Sequence, residues 1–294
     1  MTEAAIVEHQ YLTVKELADL LRLKERKVYD LAASGEVPCS RATGKLLFPA
    51  ADIQAWIDGA SSGRRAEAPD RPAIALGSHD PLLDWAIRQS RCGLATFFDG
   101  SLDGLDRFAR AKGVVTGLHV HDPESGDWNV PAATRVAGHE NAVLIAFATR
   151  SRGLVCGDDV APERLADLAG LRVVPRQTES GTDGLFRHLA ATEGLDLETV
   201  DFAEVARTED EAVESVRRGE ADVAFGLASV ARSYGLRFVP VIEEEFALLV
   251  DRRAWFEPPM QALLAFCAQP EFRRRAESYG GYDIGNLGKV LWNA

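Results

Sequence analysis

Apolar positions along the chain change their period several times, and each change marks an element. Val14, Leu17, Ala18 and Leu21 recur at three- and four-residue spacing, which predicts a helix over Thr13–Leu21, and Thr13-Val14-Lys15-Glu16 supplies a capping box for its start. A second helix is predicted over Lys24–Ala33, with Val28, Leu31 and Ala32 as its apolar stripe and Gly35 as its stop. A third covers Ala50–Asp58, with Ile53, Trp56 and Ile57 inward, and Val37-Pro38 and Leu46-Leu47-Phe48 flank a hairpin tip at Arg41-Ala42-Thr43-Gly44-Lys45. Apolar periodicity then stops, which predicts a linker over 60–72 between a small domain (1–59) and a larger one (73–294). In the larger domain short apolar runs alternate with helical patterns: Ala73–Leu76, a helix from Pro81, Gly93–Phe98, a helix from Leu102, and Val114–Val120. That alternation predicts an α/β fold with a mostly parallel sheet, whose ligand loops lie at the carboxyl ends of the strands.

Composition narrows the class. The chain has 294 residues, 46% of them hydrophobic and 27% charged, as expected of a globular protein with a core of its own. It contains no apolar run of the roughly 18 residues a membrane span needs, and Met1–Gln10 carries Glu3 and Glu8 where a signal segment would be basic and then apolar, so a cytoplasmic location is expected. Cys39, Cys92, Cys156 and Cys267 are scattered, which suggests neither a disulfide framework nor a zinc site. The formal charge of −12 argues against coating nucleic acid non-specifically, so any DNA contact has to come from a local basic patch.

The small domain holds such a patch. Two short helices joined by a tight turn form a helix-turn-helix whose second helix turns Lys24, Arg26, Lys27 and Tyr29 away from the apolar stripe, with Arg41 and Lys45 on the basic tip beyond it. Tyr11-Leu12-Thr13-Val14-Lys15-Glu16-Leu17-Ala18, Val28-Tyr29, Gly35-Glu36-Val37-Pro38 and Asp52-Ile53-Gln54-Ala55-Trp56-Ile57 together resemble the excisionase-type winged helix-turn-helix. The resemblance implies binding to double-stranded operator DNA through those six basic and aromatic residues. A homodimer is expected, because one small module covers only about 600–1,000 Å² of DNA. The acids Glu25, Asp30 and Glu36 leave a protein-docking helix pair as the alternative.

The larger domain repeats one loop chemistry. Leu171–Val174 is an apolar run ending at Pro175, after which Ser180 or Thr182 caps a helix starting near Asp183, Gly181 permits close backbone approach, and Arg176 adds a cation. Gly77-Ser78-His79-Asp80 and Asp99-Gly100-Ser101-Leu102-Asp103-Gly104 likewise pair glycine and hydroxyl with a helix N-terminus, where free N–H groups favour anions. Ordinary helix capping, with Arg176 solvated, is the plain alternative. With Ala221-Asp222-Val223-Ala224-Phe225-Gly226, Phe246-Ala247-Leu248-Leu249-Val250 and Pro270-Glu271-Phe272-Arg273, these loops resemble the two-lobed, type II periplasmic-binding-protein-like domain. The order Gly-Ser, Gly-Ser and Arg-x-x-x-Ser-Gly-Thr is similar to the molybdate- and tungstate-binding members, and Gly117-Leu118-His119-Val120-His121-Asp122-Pro123-Glu124-Ser125-Gly126 to Asn129 to the cytoplasmic branch fused to helix-turn-helix modules. The resemblance implies that the chain leaves the first lobe near Ala146 and returns near Pro240, with Ser78 and Ser101 across a cleft from Arg176, Ser180, Gly181 and Thr182 as ligand residues. Asp183 departs from relatives that carry His or Arg there.

The expected function is a one-component transcriptional regulator that senses a small oxyanion, molybdate or tungstate, with no cofactor and no catalysis. A sensor of an organic anion, or a molybdenum-cofactor-related enzyme with a DNA-binding head, are the alternatives. His119 is expected to be half-buried and His121 to open a polar loop, rather than to form a metal pair, and Cys156 to be a core residue. Molybdate and tungstate accept hydrogen bonds and donate none, so the expected site is donors only, with Arg176 as its one cation. On that basis loss of Arg176 is expected to cost about 2–5 kcal/mol of binding, and phosphate, which carries a proton, to bind less well.

Overall fold

The computed structural model describes residues 10–41, 44–60 and 70–294, in two units comprising residues 1–69 and 70–294. In the first unit Thr13 caps the helix Val14–Leu21 with both halves of the capping box in place: Glu16 N–H donates to Thr13 Oγ1 at 3.3 Å and Thr13 N–H to Glu16 Oε2 at 2.7 Å. Arg22 ends this helix in the left-handed region, and the helix Glu25–Ser34 follows after two residues and stops at Gly35. Leu17, Ala18, Val28, Leu31, Val37, Phe48 and Ile53 form the core, against which Trp56 and Ile57 of the helix Ala50–Ala60 pack. The small sheet differs from expectation. Leu47–Pro49 pairs antiparallel with Tyr11–Thr13, a strand the pattern did not predict, while the hairpin is marked by a single bridge between Ser40 and Leu47. Ala42 and Thr43 of its tip, and residues 61–69 of the expected linker, lie outside the described residues.

The second unit is mixed α/β around one curled sheet. Its first half orders the strands Ala95–Phe98, Ile74–Gly77 and Val115–Leu118 in parallel; its second half orders Val223–Leu227, Arg172–Val174 and Asp201–Phe202, also in parallel. Two strands of 15 residues, Ala142–Cys156 and Arg237–Asp251, run antiparallel to each other through both halves, so the sheet is more mixed than the expected parallel one. The second of them is interrupted by register shifts between Pro240 and Ile242 and between Phe246 and Ala247.

Each half is covered by helices on both faces, and strand alternation sorts the side chains between them. Val143 and Ile145 join the core under the helices Pro81–Ser90, Pro258–Cys267 and Pro270–Tyr279, while Ala142 and Leu144 join the opposite core under Ser101–Ala109 and Val130–Ala137. In the second half Leu154 and Cys156 face the helix Gly181–Thr192, and Val155 faces Glu209–Arg217.

Glycine sets how closely the first half is drawn together. A Cβ on Gly104 would lie 2.2 Å from the Cα of Gly77, so the helix Ser101–Ala109 rests directly on the strand Ile74–Gly77. Gly104→Ala is expected to lift that helix and cost about 1–3 kcal/mol through overpacking; urea unfolding of the full chain, with a midpoint unchanged from wild type as the contrary result, checks it.

Candidate functional site

The two long strands place three charged side chains at the join of the halves. Along Ala142–Cys156, Arg150 and Arg152 stand two residues apart and share a face; across the ladder, Glu244 is the direct partner of Arg150 and the diagonal neighbour of Arg152. All three are buried, at 1%, 0% and 0% exposure. Arg150 Nη2 donates to Glu244 Oε1, and Arg152 donates to the same carboxylate from Nε at 2.7 Å and from Nη2 at 3.1 Å. Burial alone would push the Glu244 carboxyl up, yet Arg150, Arg152 and His119 together hold it well below the usual carboxylate range.

From Glu244 the contacts run into both halves. In the first, Glu244 Oε2 is 3.0 Å from His119 Nδ1, and His119 Nε2 is 3.0 Å from Ser78 Oγ. His119 N–H also donates to Ser101 Oγ at 3.2 Å, and Arg150 reaches Asp80, which accepts from Tyr282 as well. In the second half Arg152 donates to Glu209 at 2.9 Å; Thr182 Oγ1 donates to the same carboxylate at 3.2 Å, and Arg176 Nη1 lies 2.9 Å from it. The last of these is an ion pair by distance only, since among the described residues the Nη1 hydrogens find no aligned acceptor. Burial opposes the ionised form of Glu209 too, but Arg152 and Arg176 lower its pKa to about 2.

The halves meet at the two helix N-termini. Leu102 N–H, in the first turn of Ser101–Ala109, donates to the Glu179 carbonyl at 3.1 Å, and a Cβ on Gly100 would lie 2.7 Å from that oxygen. A Cβ on Gly181 would lie 2.3 Å from the carbonyl of His119. Ser180 caps the helix Gly181–Thr192, accepting from Asp183 N–H and donating to the Gln177 carbonyl at 2.7 Å. The N–H groups of Ser101, Gly181 and Thr182 precede any acceptor their own helices supply.

The structure therefore gathers five of the six expected ligand residues onto one buried network, with Ser78, Ser101 and Gly181 around His119 and Thr182 and Arg176 on Glu209; the sixth, Ser180, spends its hydroxyl on the Gln177 carbonyl and the Asp183 N–H. It corrects two expectations. Arg176 is not the lone cation: Arg150 and Arg152 are buried in the same network, and Arg176 spends Nε and Nη2 on the carbonyls of Ala206 and Arg207. Nor is the site donors only, because Asp80, Glu209 and Glu244 stand in it; each guanidinium has been brought out of water and needs a carboxylate there. His119 is fully buried rather than half-buried, because Glu244 offers its ring a partner in the interior. His121 packs instead on Trp128 and His188, and Asp183 binds Arg187 one turn along its helix.

In the first unit Lys24, Arg26, Lys27, Tyr29, Arg41 and Lys45 are all exposed. Tyr29, Arg41 and Lys45 line a concavity of about 990 Å³ together with Lys15, Glu25 and Asp30, whereas Lys24, Arg26 and Lys27 lie outside its lining. Arg41 is tied to the second helix by a bond from Nη2 to the Ala32 carbonyl at 3.3 Å.

Comparison with known proteins agrees with this division. Residues 11–61 match the model of a helix-turn-helix domain and residues 85–268 that of the PBP superfamily domain. Protein YvgK of Bacillus subtilis (strain 168), named an uncharacterized protein, is 23% identical over 300 residues, covering 95% of this chain and 97% of its own. A protein of Clostridium pasteurianum, named for its place in the ferredoxin 2Fe-2S gene 5′ region, is 27% identical over 78 residues, 26% of this chain and 69% of its own. Among solved structures, a putative phosphate ABC transporter substrate-binding protein from Clostridium perfringens, with bound phosphate, superposes with a TM-score of 0.53 at 11% identity, covering 74% of this chain and 98% of its own. The sulfate-binding protein SubI of Mycobacterium tuberculosis H37Rv gives 0.51 at 14% identity, over 72% and 86%. At these identities the structures bear on the fold alone.

Removing one member of the network strands the rest. Arg152→Met leaves Glu209 and Glu244 short of a cation in the interior and is expected to destabilise the second unit by about 3–5 kcal/mol at neutral pH. The Glu209 pKa is depressed, so its contribution to stability is present above the unfolded value of 4.5 and is lost as pH falls toward about 2. In the variant that loss should begin at higher pH; urea unfolding at neutral pH and an acid titration followed by circular dichroism measure the two effects, and an unchanged urea midpoint would contradict the first.

Proposed function

The chain belongs to the PBP superfamily, and on that premise we propose that it is a DNA-binding regulator whose second unit senses a small oxyanion, with molybdate or tungstate as the ligand. The observation that carries the reading is the meeting of two helix N-termini, with Ser78 and Ser101, around His119 and Gly181. Helix N-termini supply N–H donors and a favourable dipole to an anion without adding a counterion. A second feature points the same way: Arg150 Nε is buried in the network and has no hydrogen-bond partner among the described residues. These polar groups lie at the join of two halves, so a ligand seated among them favours one arrangement of the halves over another. That differential affinity is what a ligand needs to shift a conformational equilibrium, and by linkage DNA binding then shifts ligand affinity by the same factor.

DNA contact is assigned to Lys24, Arg26, Lys27, Tyr29, Arg41 and Lys45, in a homodimer that reads two half-sites. The exposure of all six side chains supports the assignment. Each phosphate contact releases counterions, so log affinity falls with log salt by about 0.9 per contact.

Isothermal calorimetry of the full chain with molybdate, tungstate, sulfate and phosphate tests the ligand, with molybdate and tungstate expected to bind above sulfate; absence of binding by all four sinks the oxyanion reading. For DNA, Arg26→Ala with Lys27→Ala should reduce the salt slope on the chain's own promoter by about two. An unchanged slope and affinity would remove those residues from the interface, and sedimentation of a monomer both free and on that DNA would remove the dimer.

A further inference from the structure

The Ser78 hydroxyl has one hydrogen, and the network directs it away from a ligand. Glu244 is ionised between Arg150 and Arg152 and only accepts, so His119 Nδ1, 3.0 Å from it, carries the ring hydrogen. Burial outweighs the pull of Glu244 and keeps the imidazole neutral at neutral pH. Nε2 is then a bare lone pair, and at 3.0 Å it accepts the Ser78 hydroxyl hydrogen. Two other hydroxyl hydrogens nearby are also engaged, Ser180 with the Gln177 carbonyl and Thr182 with Glu209. Ser78 thus presents lone pairs, whereas a fully deprotonated oxyanion has only lone pairs to offer in return.

We infer that His119 is a positioning residue that couples the binding of a deprotonated oxyanion to the uptake of one proton. His119 Nε2 takes that proton from solvent and donates it to Ser78 Oγ; the Ser78 hydroxyl hydrogen turns out and bonds to the oxyanion. No covalent bond to the ligand forms, and Glu244 keeps the imidazolium oriented through Nδ1. Without uptake, turning Ser78 outward would leave Nε2 as a buried acceptor facing an acceptor, an arrangement that carries the full penalty of an unmade bond.

Charge favours the same step. The charged groups facing the ring are Glu244, from Arg237–Asp251, and Arg150 and Arg152, from Ala142–Cys156; Asp80 reaches it through Arg150 and Glu209 through Arg152. With Arg176, three guanidiniums balance Asp80, Glu209 and Glu244, so a dianion enters a network with no spare positive charge. A proton on His119 offsets part of that. An oxyanion that brings its own hydrogen, such as hydrogen phosphate, donates directly to the Ser78 lone pair and needs no uptake. The site then sorts oxyanions by protonation. The inference rests on the assignment of Ser78 to the ligand.

Calorimetry of molybdate and of inorganic phosphate, each in buffers of different ionisation enthalpy between pH about 6 and 8, counts the protons. For molybdate we expect uptake of about one proton and an affinity that falls about tenfold per pH unit as pH rises above the free His119 pKa; for phosphate, uptake well below that. In His119→Gln the amide N–H donates to Ser78 permanently, so molybdate should bind with no uptake and a flat pH profile. A merely structural role for His119 would weaken binding while leaving the slope in place, and uptake that persists in the variant overturns the proposal. So does wild-type binding of molybdate without uptake, or equal uptake with phosphate; both leave the oxyanion reading standing. If neither anion binds, that reading and this one fall together. Should the variant not fold, the two-buffer measurement on wild type decides alone.

Discussion

Glu244, held between Arg150 and Arg152, is the constraint on which the second unit depends. The three groups sit where the two long strands cross from one half to the other, out of contact with water, and a charge there is tolerable only while its partners stay within hydrogen-bond reach. The strand pairing answers that requirement. A slip of one residue would turn Glu244 to the opposite face of the sheet and bury two guanidiniums unpaired, so the ion cluster fixes the register of the strands as much as the strands position the cluster. Through His119 it also positions Ser78, and through Glu209 it positions Thr182 and Arg176. Residues about a hundred positions apart in sequence are thereby held in one connected set.

What was legible in the sequence was local. The capping box at Thr13, the stop at Gly35, the helix start at Pro81 and the cap offered at Ser180 or Thr182 each depend on groups within a few residues of one another. The glycine and hydroxyl loops were legible for the same reason, and most of their residues come together at the join of the halves. The arginines on Ala142–Cys156 were not, because Arg150 and Arg152 lie at alternate positions of a strand, where charged side chains normally face solvent. Glu244 is flanked by Glu243 and Glu245, which are exposed, and nothing in the three-residue run distinguishes the buried one except strand parity. A signal was present in the opposing runs: two arginines two apart in one long apolar segment and an acid in another are what a buried cross-strand pair requires. Pairing the segments was the missing step, and it depends on topology. Arg176 shows the converse case. Its place in a glycine-rich loop suggested a ligand's countercharge, but its side chain is long enough to reach the turn at Ala206 and Arg207, which offers two carbonyls that need donors.

The two interruptions of Arg237–Asp251 lie on either side of Glu244, one at Pro240/Ile242 and one at Phe246/Ala247. A ladder bends most readily where its pairing is broken, so the charged segment is a stiff link with a joint at each end. A plate on one joint can only swing like a door; a plate on two joints can also shift sideways, as the links of a parallel ruler do. If one half of this unit moves against the other, the two breaks would let the charged segment shift sideways as well as tilt.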